Sequence, residues 1–298
     1  MTGRSVLVAA LAVVVCACGG TVTGSGAAAP LAVLSAFPAE MAPLVAQAEV
    51  VETAVVNGRV FRIGTLRGLP VIIGLTGIGL ANATNTTRAL LDQFRVRGII
   101  VSAVAGSTLR IGDVTVPSGW TYQRDATYAV YEPWLKIAAE VAASGVVELQ
   151  QCTVRPNPKD GTVCLPFVPI IAVGGTGQST DLFPDTPTMC QPRGGDVLGC
   201  DIAGNAVGAD VSEASPIDAT AAAEMPIATD NETAGIAREA TARGIPLIAF
   251  RAVSDGADDP LGLPGYPLQF FTYYHLAADN AAAATLAFLD RLATASAH

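Results

Sequence analysis

A continuous apolar run near the C-terminus most constrains the fold of this 298-residue chain. Residues 245–250 read Ile-Pro-Leu-Ile-Ala-Phe, and the strand-like segment stops at Ser254 and Asp255, before Gly256 opens a loop. A strand without polar alternation is typical of a sheet that helices cover on both faces. In such sheets, ligands bind where the strands end. Asp255 is therefore a candidate site residue, and an aspartate that caps the next turn is the alternative.

Further apolar runs of strand length alternate with helix-like segments along the chain. The runs cover residues 31–34, 71–75, 98–104 and 169–173, and the helix-like segments cover 81–94, 230–243 and 270–295. This alternation predicts an α/β fold. We expect one domain over residues 30–298, with a loop-rich insert around a single strand at 150–215, where Pro, Gly and Cys dominate.

The N-terminal segment has the pattern of an export signal. Arg4 precedes an apolar run over residues 6–17 that is too short to span a bilayer. Because small residues lead into Cys18 as in a bacterial lipobox, we expect removal of residues 1–17, a lipid on Cys18 and a flexible tether over 18–29. An ordinary secretory peptide is the alternative. The protein is then expected outside the cytoplasm, anchored to the bacterial membrane or secreted.

Composition excludes several partners and cofactors. The formal net charge of −9 leaves no basic patch for a nucleic-acid polymer. The histidines are only His275 and His298, and the lysines only Lys136 and Lys159, which argues against a Ser-His-Asp hydrolase, a Schiff-base enzyme and a histidine-rich metal centre. The turn Gly77-Ile78-Gly79 lacks the third glycine of a dinucleotide-binding motif. We therefore expect neither a cofactor nor a metal.

Four cysteines fall within the insert, namely Cys152, Cys164, Cys190 and Cys200. Such clustering in an exported chain indicates disulfides. Three connectivities are possible, and the short loops that they close favour Cys152–Cys164 with Cys190–Cys200. A zinc site is the alternative, but the Cys-x-x-Cys spacing that is common in zinc sites is absent.

Three carboxylates remain as candidates for chemistry. Glu40 follows the first strand, Glu232 lies in the segment Asp230-Asn231-Glu232-Thr233-Ala234, and Asp255 ends the strand described above. Glu40 and Glu232 could each instead be an ordinary acid in the first turn of a helix, where it stabilises the helix dipole.

The contexts of these carboxylates resemble the nucleoside phosphorylase and nucleosidase superfamily. The nearest likeness is to methylthioadenosine/S-adenosylhomocysteine nucleosidases and secreted plant storage-type relatives. The segments that carry the resemblance, in order, are 31–45, Gly77-Ile78-Gly79, Val104-Ala105-Gly106-Ser107 with Ile111-Gly112-Asp113-Val114, Asp230-Asn231-Glu232-Thr233-Ala234 and Arg251-Ala252-Val253-Ser254-Asp255. The resemblance implies a three-layer α/β/α fold with a twisted mixed sheet. It also implies a possible homodimer.

The resemblance further implies a role for each site residue. Asp255 would protonate or hold the purine at N7, Glu40 would orient and deprotonate the attacking water, and Glu232 would bind the ribose hydroxyls. The other expected substrate contacts are Asn231, Ser254, Gly79, Ala105, Gly106 and Phe183. An acid at the leaving group and a base at the water suit glycosidic cleavage, which passes through an oxocarbenium-like sugar. The chemistry requires no cofactor.

Two residues depart from the pattern of that superfamily. Val104 stands where a serine is expected, and Asn231 replaces a methionine that lies against the ribose. The arginines that bind phosphate in the phosphorylases have no counterpart at 38–41 or 101–102, which favours hydrolysis provided that Arg62, Arg67 and Arg88 do not reach the site.

We therefore expect an exported purine nucleosidase that acts on (methylthio)adenosine-like nucleosides and is anchored through its lipid. Three alternatives remain open at this point. They are a nucleoside- or purine-binding lipoprotein without turnover, a phosphate-dependent nucleoside phosphorylase, and a storage-like protein without a ligand.

Overall fold

The computed structural model describes residues 28–122, 127–180, 191–192, 195–197, 199–200 and 225–295. The predicted signal peptide and Cys18 lie outside the described residues. The same holds for Phe183, for His298 and for Cys190, and therefore for the predicted Cys190–Cys200 disulfide.

The described residues form the following strands and helices. The strands are β1 (Leu31–Ser35), β2 (Glu49–Val56), β3 (Arg59–Leu66), β4 (Leu69–Leu75), β5 (Gly98–Arg110), β6 (Val114–Val116), β7 (Gly119–Tyr122), β8 (Tyr128–Ala129), β9 (Cys152–Val154), β10 (Thr162–Cys164), β11 (Ile171–Val173), β12 (Thr176–Ser179), β13 (Gln191–Pro192), β14 (Gly199–Cys200), β15 (Ala228–Asp230) and β16 (Leu247–Ala257). The helices are α1 (Pro38–Val45), α2 (Leu80–Gln93), α3 (Glu132–Ser144), α4 (Thr233–Ala242) and α5 (Leu268–Ala295), with a 3-10 turn at Pro158–Asp160.

One large mixed sheet organises the fold. Its strand order is β2-β3-β4-β1-β5-β15-β12-β7-β8, and β16 pairs with both β5 and β6. The β4-β1-β5-β16 centre is parallel, whereas β2, β3 and β4 form an antiparallel meander. Helices α1 and α3 pack on α5, and α2 packs on α4. The predicted α/β fold with a mixed sheet and flanking helices is thereby confirmed.

The centre of the sheet is buried because its strands carry continuous apolar runs. All five residues of β1 are buried, and Ile99, Ile100, Ile248 and Phe250 are completely so. Strands that are covered on both faces need no polar alternation, which explains why these runs stand out in the sequence. Strand β1 ends beside the middle of β5, and β5 and β16 continue as a pair beyond it to Arg110 and Ala257.

The two longest strands extend beyond their predicted ends. Strand β5 continues to Arg110 rather than 104, and β16 continues to Ala257. Asp255 therefore lies within a strand, and the prediction that Gly256 opens a loop was wrong. The pairing of β16 with β5 shifts register between Val253 and Asp255 and again between Asp255 and Ala257. Such irregularities kink a strand and redirect its side chains.

The helix predicted over 230–243 starts later than predicted. Asp230 ends the short strand β15, and α4 begins at Thr233. The reason is local, since Asp230 Oδ1 accepts hydrogen bonds from the backbone amides of Glu232 and Thr233 at 3.2 and 3.3 Å. An aspartate just before a helix satisfies amides that have no partner within the helix.

The insert contributes more to the sheet than the sequence indicated. Strand β11 pairs with β6, and β12 lies between β7 and β15, so the description of loops around one strand was wrong. The predicted Cys152–Cys164 disulfide is present and joins the antiparallel strands β9 and β10. Within the part of the chain that the structure describes, no helix is long and apolar enough to cross a membrane.

Candidate active site

A buried arginine on β16 links the middle of β5 to the end of β15 and the start of α4. The side chain of Arg251 is 1% exposed, and its Nη2 lies 2.7 Å from Asp230 Oδ2 and 3.3 Å from Glu232 Oε2. Its Nη1 donates to the carbonyl of Val104 at 2.8 Å, and its Nε donates to Thr233 Oγ1 at 3.1 Å. A buried charge is tolerated only when it is paired and hydrogen-bonded in this way.

The charges around Arg251 decide its protonation. Burial lowers the pKa of Arg251, but Asp230, Glu232 and Glu40 raise it by more, so the pKa lies above its ordinary value. The guanidinium therefore stays positive among three carboxyl groups. If all three carboxyl groups are ionised, the cluster carries a net negative charge in a water-poor region, where charge effects are strong.

Glu232 connects this cluster to the glycine turn after β4. It lies immediately before α4 and is 4% exposed. Its Oε1 accepts a hydrogen bond from the backbone amide of Gly79 at 3.0 Å, and Gly79 has a φ of 96°, which favours glycine. Burial raises the pKa of Glu232, whereas Arg251 and the Gly79 amide oppose that shift.

Glu40 lies in the first turn of α1 and also reaches across to β5. Its Oε2 accepts from the backbone amides of Ala36 at 2.6 Å and Phe37 at 3.3 Å. Its Oε1 accepts from the backbone amide of Val104 at 2.8 Å. Glu40 therefore combines the two roles considered for it from the sequence. It is an acid that stabilises the start of a helix, and it also lies in the charge cluster. Burial outweighs Arg251 and the backbone donors and raises the pKa of Glu40 to about 8.

Asp255 lies at the irregular part of β16, opposite Gly106 of β5. Ser254 Oγ donates to Asp255 Oδ1 at 2.8 Å and lies 3.3 Å from the carbonyl oxygen of Ala105. Burial raises the pKa of Asp255, and the Ser254 hydroxyl opposes that shift. A Cβ atom on Gly106 would lie only 2.7 Å from Asp255 Oδ2 and 3.0 Å from Thr229 Oγ1, so a glycine makes room for both side chains.

Asp255 opens on a cavity of about 490 Å³. The residues that line it are Gly106, Ser107, Thr108, Met225, Pro226, Thr229, Asp255, Gly256, Gly265 and Gln269. Glu40, Glu232 and Arg251 do not line this cavity. They are joined to it through β5, because Val104 contacts Glu40 and Arg251 while Gly106, two residues later, faces Asp255.

Asn231 contributes a polar atom whose hydrogen bonding is incomplete. Its Oδ1 is buried and has no hydrogen-bond partner among the described residues. Asn231 directly follows β15, the strand that also carries Thr229 of the cavity wall. A buried polar atom without a partner is uncommon and costs free energy, so it is typical of a position where a ligand binds.

The sequence patterns assigned no role to Arg251, Asp230, Thr229 or Gln269. For Arg251 a signal was available, because a charged residue inside an apolar strand must find buried partners. Asp230 was interpreted only as an acid at a helix start. Among the described residues, no group of three or more His, Cys, Asp or Glu side chains could hold a metal ion.

The arginines that could have introduced a phosphate site lie in different places. Arg67 contacts Gln47 and Asp290, and Arg88 pairs with Glu239 at 2.9 Å. Arg62 extends from β3 towards α1, where its Nη1 lies 3.7 Å from the sulfur of Met41, next to Glu40. Arg67 and Arg88 are thus engaged away from the carboxylate cluster.

Comparison with known sequences identifies relatives over most of the chain. Residues 30–162 match the sequence model of the family described as the phosphorylase superfamily. An uncharacterised protein of Mycobacterium tuberculosis is 35% identical over 188 residues, which cover 56% of this chain and 74% of that protein. A 5′-methylthioadenosine/S-adenosylhomocysteine nucleosidase of Chromohalobacter salexigens is 25% identical over 285 residues, which cover 89% of this chain and 99% of that protein.

Solved structures share the fold. One is a 5′-methylthioadenosine/S-adenosylhomocysteine nucleosidase of Neisseria meningitidis in complex with methylthio-immucillin-A. Its TM-score is 0.59 at 18% identity, and the match covers 88% of this chain and 98% of the nucleosidase chain. The futalosine hydrolase of Helicobacter pylori has a TM-score of 0.60 at 18% identity, and the match covers 88% of this chain and 97% of that hydrolase. From the family match, the mycobacterial relative and the shared fold, the chain belongs to the phosphorylase superfamily.

Proposed function

We propose that this protein is a nucleosidase that hydrolyses the N-glycosidic bond of purine nucleosides of the (methylthio)adenosine type. The observation that carries the proposal is the buried cluster of Glu40, Glu232 and Arg251 beside the cavity of Asp255. Relatives of two kinds support it, since they are named 5′-methylthioadenosine/S-adenosylhomocysteine nucleosidase and futalosine hydrolase. An adenine complex of one such nucleosidase, from Colwellia psychrerythraea, also supports a purine ligand.

In this proposal Asp255 serves as the acid at the leaving base. A purine leaves far more readily when it is protonated, so the acid must hold its proton until the bond breaks. Burial supports this role because it raises the pKa of Asp255. The carboxyl group faces the cavity through the gap that Gly106 leaves, and Ser254 holds its other oxygen.

Glu40 serves as the base that deprotonates the attacking water. A carboxylate whose pKa is about 8 is a stronger proton acceptor than an ordinary glutamate. Its three backbone donors, at Ala36, Phe37 and Val104, fix its orientation. Burial outweighs the positive charge of Arg251, so the ionised form of Glu40 becomes dominant only above a pH of about 8.

Glu232 binds the sugar hydroxyls and stabilises the developing positive charge on the sugar. Its carboxylate accepts from Gly79 and Arg251, and each oxygen retains a lone pair for a hydroxyl donor. The negative charge of the Glu232 carboxylate near an oxocarbenium-like sugar lowers the barrier, because it is in place before the charge on the sugar forms.

Hydrolysis is favoured over phosphorolysis by the positions of the arginines. Arg67 and Arg88 are engaged elsewhere, and Arg251 is already bound to Asp230 and Glu232. Arg62 is the arginine that lies near Glu40, where it contacts the sulfur of Met41, so the assay with and without phosphate also tests its role. A phosphate nucleophile needs cations that are free to bind it. Water, by contrast, needs only the base, which Glu40 supplies.

Turnover tests this function directly. The chain from residue 28 onward, with the Cys152–Cys164 disulfide intact, is incubated with adenosine, 5′-methylthioadenosine and other purine nucleosides, with and without phosphate. Free base and free sugar, independent of phosphate, are expected. Ribose 1-phosphate would show a phosphorylase, and no product from folded protein would show a binding or storage protein.

Asp255→Asn provides the matched mechanistic test. It removes the proton donor, and we expect kcat to fall by a factor of about 100 or more. The exposed Asp290→Asn is the control, because its side chain is 57% exposed and lies outside the cluster. Equal rates for Asp255→Asn and the parent protein would exclude the acid role of Asp255.

We also propose that the protein is exported and anchored by a lipid on Cys18. Supporting features are Arg4, the apolar run over 6–17 and the Cys152–Cys164 disulfide, which suits an oxidising compartment. Metabolic labelling with a fatty-acid analogue should mark the full chain in a bacterial host. Cys18→Ser should abolish the label and Cys16→Ser should not. A label that persists in Cys18→Ser would exclude this anchor.

A further inference from the structure

The connection between β16 and α5 forms one wall of the cavity. Residues 258–267 leave the strand after Ala257, and Gly265 and Gln269 line the cavity together with Asp255 and Gly256. Three polar side chains hold this connection in place, and no catalytic step described above uses them. They are Asp259, Gln269 and Tyr273.

Asp259 fixes the backbone of the connection. Its Oδ1 accepts from the amide of Leu261 at 2.9 Å, and its Oδ2 accepts from the amide of Leu263 at 2.7 Å. The hydroxyl of Tyr273, on a side chain that is 1% exposed, donates to the same carboxylate. These bonds tie the middle of the connection to the first turns of α5.

Gln269 links the connection to the strand that carries Asp255. It is 5% exposed, and its Oε1 accepts from the backbone amide of Gly256 at 2.9 Å. Its Nε2 donates to the carbonyl of Leu263 at 3.0 Å and lies 3.5 Å from Asp259 Oδ2. Both ends of the carboxamide are therefore occupied by the protein itself.

Gly256 needs this bond because the sheet does not provide one. It lies between the two register shifts of β16, where Asp255 pairs with Gly106 and Ala257 pairs with Arg110, while Gly256 has no partner residue among the described strands. A Cβ at this position would lie 2.4 Å from the carbonyl oxygen of Leu109, so only glycine fits. An amide that a β-bulge leaves without a partner must be satisfied by another group.

We propose that Gln269 is a positioning residue for Asp255. It supplies the hydrogen bond that the irregular strand lacks at Gly256, and through Leu263 it holds the 258–267 connection that places Gly265 at the cavity. Asp255 then keeps one orientation and a partly buried surrounding. This inference rests on the proposed function only where turnover is concerned, because the effect on the Asp255 carboxyl group exists with or without catalysis.

Gln269→Met tests the inference, since methionine keeps the volume and the unbranched shape but makes no such hydrogen bonds. Thr285→Val is the control on the same helix. Thr285 is buried, its Oγ1 has no hydrogen-bond partner among the described residues, and valine has the same shape. The full-length disulfide-bonded protein is labelled with 13C at the aspartate carboxyl carbon, and Asp255→Asn identifies the Asp255 signal.

In Gln269→Met we expect the pKa of Asp255, read from its carboxyl titration, to fall towards that of an ordinary aspartate, because water reaches the loosened wall. Thr285→Val should leave that titration unchanged. With purine nucleosides, kcat of Gln269→Met should fall on the order of tenfold while KM changes less than twofold.

Two results would overturn the inference. An Asp255 titration that is the same in Gln269→Met and in the parent protein would show that Gln269 does not act through Asp255. A rise in KM with unchanged kcat would show that Gln269 binds the substrate directly. If the parent protein cleaves no nucleoside, the proposed function fails, and the titration alone decides the inference.

Discussion

The backbone amide of Val104 donates a hydrogen bond to Glu40 Oε1 at 2.8 Å, which joins α1 to the centre of β5. Because the contact is made by the backbone, it does not depend on the side chain at position 104. The valine that replaces an expected serine therefore leaves the orientation of Glu40 intact. The consequences of this buried carboxyl group can be measured in both stability and activity.

Glu40→Gln should change how stability depends on pH. The pKa of Glu40 is raised from 4.5 to about 8 in the folded protein, so the folded state binds a proton more tightly than the unfolded state. That contribution is fully present below pH 4.5 and is lost as the pH rises to about 8. The free energy of unfolding of the parent protein should fall by up to about 5 kcal/mol relative to Glu40→Gln across this window.

Urea unfolding of both proteins between pH 4 and 9 measures this difference. The glutamine accepts fewer hydrogen bonds than the carboxylate, which shifts the free energy of unfolding of the variant by the same amount at every pH. Only the change of the difference with pH is therefore diagnostic. A difference in unfolding free energy that stays flat from pH 4.5 to 8 would show that Glu40 titrates normally.

The pH dependence of turnover follows from the same residue. As the base, Glu40 acts only in its ionised form, and its pKa is about 8. The kcat/KM for a purine nucleoside should therefore rise with pH below about 8, by about tenfold per pH unit, and stop rising above it. Circular dichroism at each pH confirms that the protein stays folded. A kcat/KM that still rises at pH 9 would contradict the assignment of proton roles.

Arg251→Met should destabilise the protein strongly and abolish activity. It leaves the buried Asp230 and Glu232 without their cation, and breaking such a buried pair costs about 3–5 kcal/mol. Arg291→Met is the matched control, because its pair with Glu140 is more than half exposed and contributes less than about 1 kcal/mol. Chemical denaturation compares the two variants, and similar losses in both would show that the Arg251 cluster contributes little to stability.

The centre of the fold was predictable because its strands are uniformly apolar. The runs at 31–34 and 71–75 became β1 and β4, and the helix predicted over 81–94 became α2 at Leu80–Gln93. The meander that contains β2 and β3 was missed. Its turn, Asn57-Gly58, has positive φ at both residues and is a known hairpin signal that was not used.

Other elements carry no readable pattern of their own. Strand β12 reads Thr-Gly-Gln-Ser, and it joins the sheet because Gly177 leaves space for the ring of Trp120. A Cβ on Gly177 would lie 2.6 Å from that ring, so the strand is specified by a partner that is distant in sequence. Tertiary context of this kind overrides local preference.

Within the site, residue types were easier to predict than contacts. Glu40, Glu232 and Asp255 could be selected because each follows an apolar strand or opens a helix. The arrangement of Glu40 and Glu232 around Arg251 could not be predicted, because it depends on β15 lying next to β5 in the sheet. The role of Gln269 could not be predicted for the same reason. Its side chain accepts the amide hydrogen of Gly256 at a register shift of β16, and no sequence pattern indicates that shift.

Asn231→Met should change the choice of substrate rather than the chemistry. The Oδ1 of Asn231, which has no partner among the described residues, can accept a hydrogen bond from the 5′-hydroxyl of adenosine, which methylthioadenosine lacks, whereas methionine offers an apolar surface. A site that hydrogen-bonds a substrate hydroxyl discriminates against analogues that lack it, because its polar atom is then left unpaired. The variant should therefore favour methylthioadenosine over adenosine about tenfold more than the parent protein does.

Competition between the two nucleosides in one reaction measures this preference directly as a ratio of rates. An unchanged ratio, with unchanged turnover of adenosine, would show that Asn231 does not contact the sugar.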